Sequence, residues 1–323
     1  MNAITRLIPA LLFAIGCSLA AAQPYPSKPI RVIVPYPAGG AADITARAVS
    51  QKLSEQMGMA LVVENRGGAN GGIGTDAVAK AAPDGYTLLL VASGPIVVNP
   101  SLYSKVPYDP QADLAPISQV TTFQYVLVVP TGSPFRSVAD IITAAKAQPK
   151  ALSFGSTGIG GGGHLAGELL GLVTGTQLTH VPYKGSAPAL VDLLAGQLSF
   201  TYDTVITSVP QIRAGKLRAF AVSGPKRAKS LPDVPTMQEL GFAGFSVTQF
   251  QGFFAPARTD PAIVARLHAE IVTALRSPEV RQRLETEGGN DLVGNTPTEF
   301  AALIRTELDL YRKLIRDANI RME

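Results

Sequence analysis

The sequence predicts an α/β protein, on three observations. Apolar strand-like runs alternate with helix-period patterns along the chain. Two glycine-rich turns each join an apolar run to a helical pattern. The C-terminal third is helical, and each of its helices opens with a proline near the first position, where a missing N–H costs nothing.

The elements follow in order. Ile30–Val34 is a strand, and Asp43–Gln56 a helix with Ile44, Ala48, Val49 and Leu53 on a helical period. Leu61–Asn65 is the next strand, and a glycine turn then opens a helix over Thr75–Ala82. Pro83-Asp84-Gly85 is a turn, and Tyr86–Ala92 is apolar throughout, as a strand buried on both faces must be. Residues 94–117 carry several prolines and predict an irregular crossing. Phe123–Val129 is a strand, and Val138–Gln148 a helix with Ser137 as N-cap. A strand over Ala151–Phe154 precedes a helix over His164–Thr174, then a strand at Thr179–Val181. Ser186–Ala195 is a helix, with Ser186 as cap and Gly196 as stop. Leu198–Tyr202, Leu217–Ser223 and Phe245–Phe254 are later strands. Pro261–Arg276, Pro278–Glu287 and Pro297–Asn319 are the closing helices.

The two glycine turns carry the chemistry. One is Tyr36-Pro37-Ala38-Gly39-Gly40-Ala41-Ala42-Asp43, the other Gly158-Ile159-Gly160-Gly161-Gly162-Gly163-His164. Glycine lets backbone approach a ligand, and a helix N-terminus offers unpaired N–H groups at the positive end of its dipole. Strand, glycine turn and helix together make an anion site. Two of them suggest two domains gripping one acidic ligand.

Composition narrows the classes. Arg6 precedes the apolar run Leu7–Gly16, and Ala20-Ala21-Ala22 stands before Gln23, so residues 1–22 are expected to be a secretory signal. The single cysteine, Cys17, falls inside that segment, with acylation at Cys17 as the alternative. A mature chain without cysteine has no disulfide, thiolate metal site or cysteine nucleophile. The net charge of +4 is scattered, with no basic run beyond Pro225–Lys229, which argues against nucleic-acid binding.

Enzyme motifs fail on inspection. Gly158–Gly163 matches G-x-G-x-x-G, and Gly72–Ala77 its alanine-ended form, but neither is followed by the acidic residue a dinucleotide site needs. Ser156, His164 and Asp203 are the residue types of a hydrolytic triad, yet no G-x-S-x-G elbow surrounds Ser156. A metal site at His164 is not expected.

The candidate ligand-binding residues are Tyr36, Ala38, Gly39, Gly40, Asp43, Ser93, Ser156, Thr157, Gly162, Gly163, His164, Tyr183, Tyr202 and Asp203. Asp43 either caps its helix and faces away or accepts a hydrogen bond from the ligand. His164 either sits at the surface as a cap or donates to a ligand carboxylate, with Ser156 and Thr157 beside it. Tyr183 and Tyr202 lie at strand ends, where open α/β sheets bind ligands, and either close the pocket or cover core edges. Lys184 is a rim cation.

At these residues the chain resembles the Bug receptors, the periplasmic solute-binding proteins of tripartite tricarboxylate transporters. The carrying motifs are Tyr36–Asp43, Ala82–Tyr86, His164–Glu168, His180–Gly185, Ala214–Ala219 and Leu231–Thr236, in order over essentially the whole mature chain. The resemblance implies a two-domain, type II-like Venus flytrap, with the turns at Ala38–Gly40 and before His164 as a pincer on a ligand carboxylate. It implies a small carboxylate ligand, a periplasmic location and, in some members, membrane permease subunits. One departure is Gly161-Gly162-Gly163, where the family usually has polar residues; the loss of side-chain donors there predicts a larger pocket. The resulting expectation is a monomeric, non-enzymatic carboxylate receptor with no cofactor. Its domain 1 spans residues 23–123 plus 250–323 and its domain 2 residues 124–249, with hinges near Thr122–Gln124 and Thr248–Gln251. A hydrolase using Ser156, or a carboxylate sensor without a transport role, is the alternative.

Overall fold

The computed structural model describes residues 25–317. The expected signal segment at residues 1–22, with Cys17, lies outside them, as does the end of the expected last helix at residues 318 and 319. Two sheets share one long strand. The first has the order β2-β1-β3-β9-β4, built from β1 (Ile30–Val34), β2 (Leu61–Asn65), β3 (Thr87–Ala92), β9 (Thr248–Pro256) and the first half of β4 (Leu114–Pro130). The second half of β4 enters the other sheet between β7 (Phe200–Thr204) and β8 (Leu217–Val222). With β5 (Ser153–Ser156) and β6 (Thr179–Pro182), that sheet reads β6-β5-β7-β4-β8.

The two orders are the same arrangement. Each sheet has three parallel strands, then an antiparallel strand arriving from the other lobe, then an outer strand. β9 fills the fourth place in one sheet and β4 in the other. The duplication is one of topology, which a chain without a sequence repeat does not advertise.

Helices cover both faces of each sheet. α1 (Ala41–Met57), α2 (Gly72–Ala79), α3 (Asn99–Leu102), α8 (Pro261–Arg276), α9 (Pro278–Arg281) and α10 (Pro297–Asp317) serve the first; a short β10 (Asp291–Leu292) pairs with β4. α4 (Val138–Ala147), α5 (Gly162–Thr174), α6 (Ser186–Leu194) and α7 (Val205–Arg213) serve the second. The pleat sorts the core. Leu88 and Leu90 of β3 join one cluster, Leu89 and Val91 the other. On β4, Leu127 and Val129 pack under α5, while Val126 and Val128 face the opposite cluster.

Several boundaries differ from expectation, each for a physical reason. β4 begins at Leu114 rather than Phe123, because register shifts at Pro116/Ser118 and Gln119/Thr121 carry the strand past a proline. α7 is unanticipated: it holds Pro210 inside, and its opening Val205-Ile206-Thr207 has the β-branched composition of a strand. Residues 94–102 are helical turns rather than an irregular crossing. Gly185, not Ser186, occupies the N-cap of α6, whereas Ser137 caps α4 as expected by accepting from the Asp140 N–H.

Candidate functional site

The first glycine turn is fixed from behind. Gly39 has φ 80° and donates its N–H to Asp43 Oδ2 at 2.9 Å. Arg47 Nε lies 3.0 Å from both carboxylate oxygens, and Asn65 Nδ2 donates to Oδ1 at 3.0 Å. Asn65 also holds the Tyr36 carbonyl, at 2.9 Å. Burial pushes the Asp43 carboxyl up, but the bonds from Arg47, Gly39 and Asn65 outweigh it and hold it below the usual carboxylate range. Asp43 therefore faces away from the cleft and buttresses the turn; it is not the ligand acceptor expected as one alternative. α1 has no side-chain cap at Gly40, and its first helical bond runs from Ile44 to Gly40. The N–H groups of Ala41 and Ala42 precede that bond, and both residues line the cleft.

The second turn, Thr157–Gly161, enters α5, whose N-cap Gly161 has no side chain with which to cap it. Thr157 and Gly161 line the cleft. The glycines that follow serve packing. A Cβ on Gly162 would lie 2.3 Å from the Tyr125 ring, and one on Gly163 would lie 2.3 Å from the Tyr202 carbonyl oxygen. The enlarged pocket expected from this glycine run is thus not there: Tyr125 fills the space, and Gly162 and Gly163 do not line the cleft.

His164 is also turned inward. Its Nδ1 accepts from the Gly160 N–H at 3.1 Å, which leaves the proton on Nε2, 3.6 Å from Glu168 Oε1. Its ring stacks on His180 at 4.0 Å. His164 therefore anchors the turn, and it is not among the residues that line the cleft. Ser156 is buried, 2.7 Å from His180 Nε2, and donates to the Gly158 carbonyl. Burial, and then the neighbouring His164, pull His180 down to about 4.

The remaining candidates do not line the cleft. Tyr202 is fully buried, with its hydroxyl on Met237 sulfur and its ring against Phe245. Burial pushes Asp203 up against the hydroxyls of Ser186, Thr207 and Ser208 and the Thr204 backbone, which lower it. Asp203 so occupies the N-terminal ends of α6 and α7. Tyr183 bonds Asp192 at 2.7 Å, and Ser93 is buried with its hydroxyl unpartnered beside the cleft-lining Ala92 and Gly94.

What the structure brings together is Tyr36, Ala38 and Gly40 from one lobe and Thr157 from the other, around about 570 Å³ of non-protein space, mouth included. Gly39 borders the neighbouring groove. The lobes meet where Gly185 approaches Pro37 and Gly160 approaches Leu102 and Asn70. Sequence reasoning missed the floor. Gln251 pairs with Ala92 on one side and Thr121 on the other, and Gln249 pairs with Phe123. Alternation puts Ala92, Phe123, Tyr125, Gln249 and Gln251 on the cleft face, with Phe250 in the core beneath. The polar–aromatic alternation Gln249-Phe250-Gln251 was the available signal. Asn70, Ser186, Ala187 and Thr204 complete the lining, and Asn70 carries a positive φ of 46°.

Two α/β lobes of like topology, joined by paired strands over a cleft, define a solute-binding-protein fold. Residues 45–320 match the model for the tripartite tricarboxylate transporter family receptor, TctC, and the chain belongs to that family. It is 37% identical over 325 residues to Protein BugT of Bordetella pertussis, covering 99% of each chain. The structure of the periplasmic binding protein BugD superposes with a TM-score of 0.87 at 34% identity, covering 93% of this chain and all of that one. That of R. palustris Rpa4515 with adipate superposes with a TM-score of 0.88 at 33% identity, covering 92% of this chain and 99% of that one.

Proposed function

We propose that this protein is a periplasmic receptor that captures a small carboxylate between its lobes and delivers it to membrane permease subunits. The observation that carries this is the pair of helix N-termini at Gly40 and Gly161, each with a glycine at its N-cap, opening on one cleft. The adipate in the Rpa4515 structure supports a carboxylate in the same kind of cleft. The BugD likeness supports a periplasmic location, reached by a signal at residues 1–22.

The domains are residues 23–123 plus 250–323 and residues 124–249, and the chain acts as a monomer. β4 and β9 are paired from Leu114–Pro256 to Gln124–Thr248, so closure bends a two-strand ribbon near Thr122–Gln124 and Thr248–Gln251. The protein is a binder rather than an enzyme. Ser156 is 1% exposed and is bonded to the Gly158 carbonyl and to His180, so its hydroxyl does not face the cleft.

A thermal-shift screen of the purified protein across amino acids, dicarboxylates and aromatic acids tests this. A dose-dependent rise in Tm with one carboxylate is expected. No rise with any carboxylate refutes it. A binder whose loss leaves uptake unchanged in cells would be a sensor instead.

A further inference from the structure

The floor of the cleft carries two hydrogen-bond donors that nothing in the protein uses. Gln249 and Gln251 are 4% and 0% exposed, and the Nε2 of each has no partner among the described residues. Both line the cleft. Their carbonyl ends are taken: Gln249 Oε1 accepts from the Tyr125 hydroxyl at 2.6 Å, and Gln251 Oε1 from the Thr121 hydroxyl at 3.2 Å. The orientation of Gln249 is determined by its neighbour. The Gly162 backbone N–H faces the Tyr125 oxygen, so the phenolic proton is directed to Gln249, and the amide nitrogen is left toward the cleft. A buried donor without an acceptor is costly, so an occupied cleft should supply one.

Charge limits what that acceptor is. Among the described residues, none with a formal charge lines the cleft, and Ala38, Ala41, Ala42, Ala92, Ala187 and Phe123 make its walls largely apolar. The helix ends at Gly40 and Gly161 seat one anion. The ends of α6 and α7 are already served by the Asp203 carboxylate, through Ser186 and the Thr204 backbone. A second carboxylate on the ligand would have no counter-charge and would lie near that buried acid.

We propose that the ligand is a monocarboxylate with an apolar body and a neutral acceptor oxygen, and that the Gln249 and Gln251 side-chain amides read that oxygen. This rests on the carboxylate reading of the same cleft. A site built to bond an acceptor discriminates against the analogue lacking it, because the buried donors are then left unpaired.

The test is calorimetric titration of the purified protein with three acids of like length: hexanoate, 5-oxohexanoate and adipate. The keto acid is expected to bind at least about tenfold more tightly than either of the others, about 1.4 kcal/mol. Gln251→Leu is expected to cut its advantage over hexanoate to under about threefold, because the unpaired donor that penalises hexanoate is gone. Gln249→Leu should do the same; because it also strips Tyr125 of its acceptor, its melting curve is checked alongside, and Gln251→Leu decides if that variant does not fold. Adipate binding tightest, or a keto preference that survives Gln251→Leu, overturns the proposal. If none of the three binds but another carboxylate does in the wider screen, this assignment falls and the receptor reading stands. If no carboxylate binds at all, both fall.

Discussion

The imidazoles of His164 and His180 stack at 4.0 Å, 20° from parallel, directly behind the second glycine turn. His164 holds the turn through Gly160, and His180 holds it through Ser156, which also bonds Gly158. Two imidazoles this close are not both charged imidazolium without strong repulsion. The stacked pair is a structural brace of the turn.

Stability should therefore fall on the acid side. His180 is held down to about 4 by burial and by His164, whereas in the unfolded chain it titrates near ~6.5. Between those values the unfolded state binds a proton that the native state refuses, so stability is full above about pH 6.5 and declines as pH drops toward 4. Glu168, held below its ordinary range chiefly by its bond to His164, adds a loss at lower pH still. Urea midpoints measured from pH 7.5 to pH 4.5 check this. His180→Gln should flatten the decline between pH 6.5 and 5; an unchanged slope in that variant refutes the assignment.

The glycines of the second turn should be intolerant for reasons of packing. Gly163→Ala drives a Cβ to 2.3 Å from the Tyr202 carbonyl, which is backbone and cannot swing away. Gly162→Ala meets the Tyr125 ring at 2.3 Å. Overpacking of this kind costs ~1–3 kcal/mol, with Gly163 at the upper end. Gly39→Ala meets nothing within 4 Å and is penalised only by its φ of 80°, by ~1 kcal/mol. Chemical denaturation of the three variants orders them.

These glycines also mark where the sequence stops being legible. The path from Ile30–Val34 through Gly39-Gly40 into the first helix is local, and propensity with glycine chemistry suffices to place it. The role of Gly162 depends on Tyr125, which arrives from a different strand, and that of Gly163 on Tyr202 from another. Asp43 is ambiguous in sequence because only Arg47, one helical turn on, is a local partner; Asn65 becomes a neighbour once β2 lies beside β1. The cleft floor was hidden for the same reason: Gln249 and Gln251 acquire meaning when β9 crosses from one lobe to the other between β3 and β4.

Closure should depend on the contact between Gly185 and Pro37. A Cβ on Gly185 would already lie 3.2 Å from the Pro37 ring, so Gly185→Leu places a side chain between the lobes. The closed population falls, and apparent Kd rises by the same factor. A loss of about tenfold or more in affinity, with a larger radius of gyration in small-angle scattering at saturating ligand, is expected. Unaltered affinity would show that the lobes bind without meeting there.

Gly40→Val separates binding from folding most cleanly. The residue has φ −79° and ψ 169°, extended backbone that valine adopts readily. A Cβ there meets only the Pro37 carbonyl, at an ordinary 3.5 Å, so the apo protein should melt within a degree or two of the wild type. The same side chain stands at the uncapped end of α1 and occupies the space from which a carboxylate reaches the Ala41 and Ala42 N–H groups. In the wild type, ligand at a hundred times Kd adds ~2.7 kcal/mol of stability. That ligand-dependent rise in Tm should vanish in the variant. The chain has no tryptophan, so melting is followed by circular dichroism or tyrosine fluorescence. A variant that folds normally and still shifts with ligand would move the anion seat away from α1.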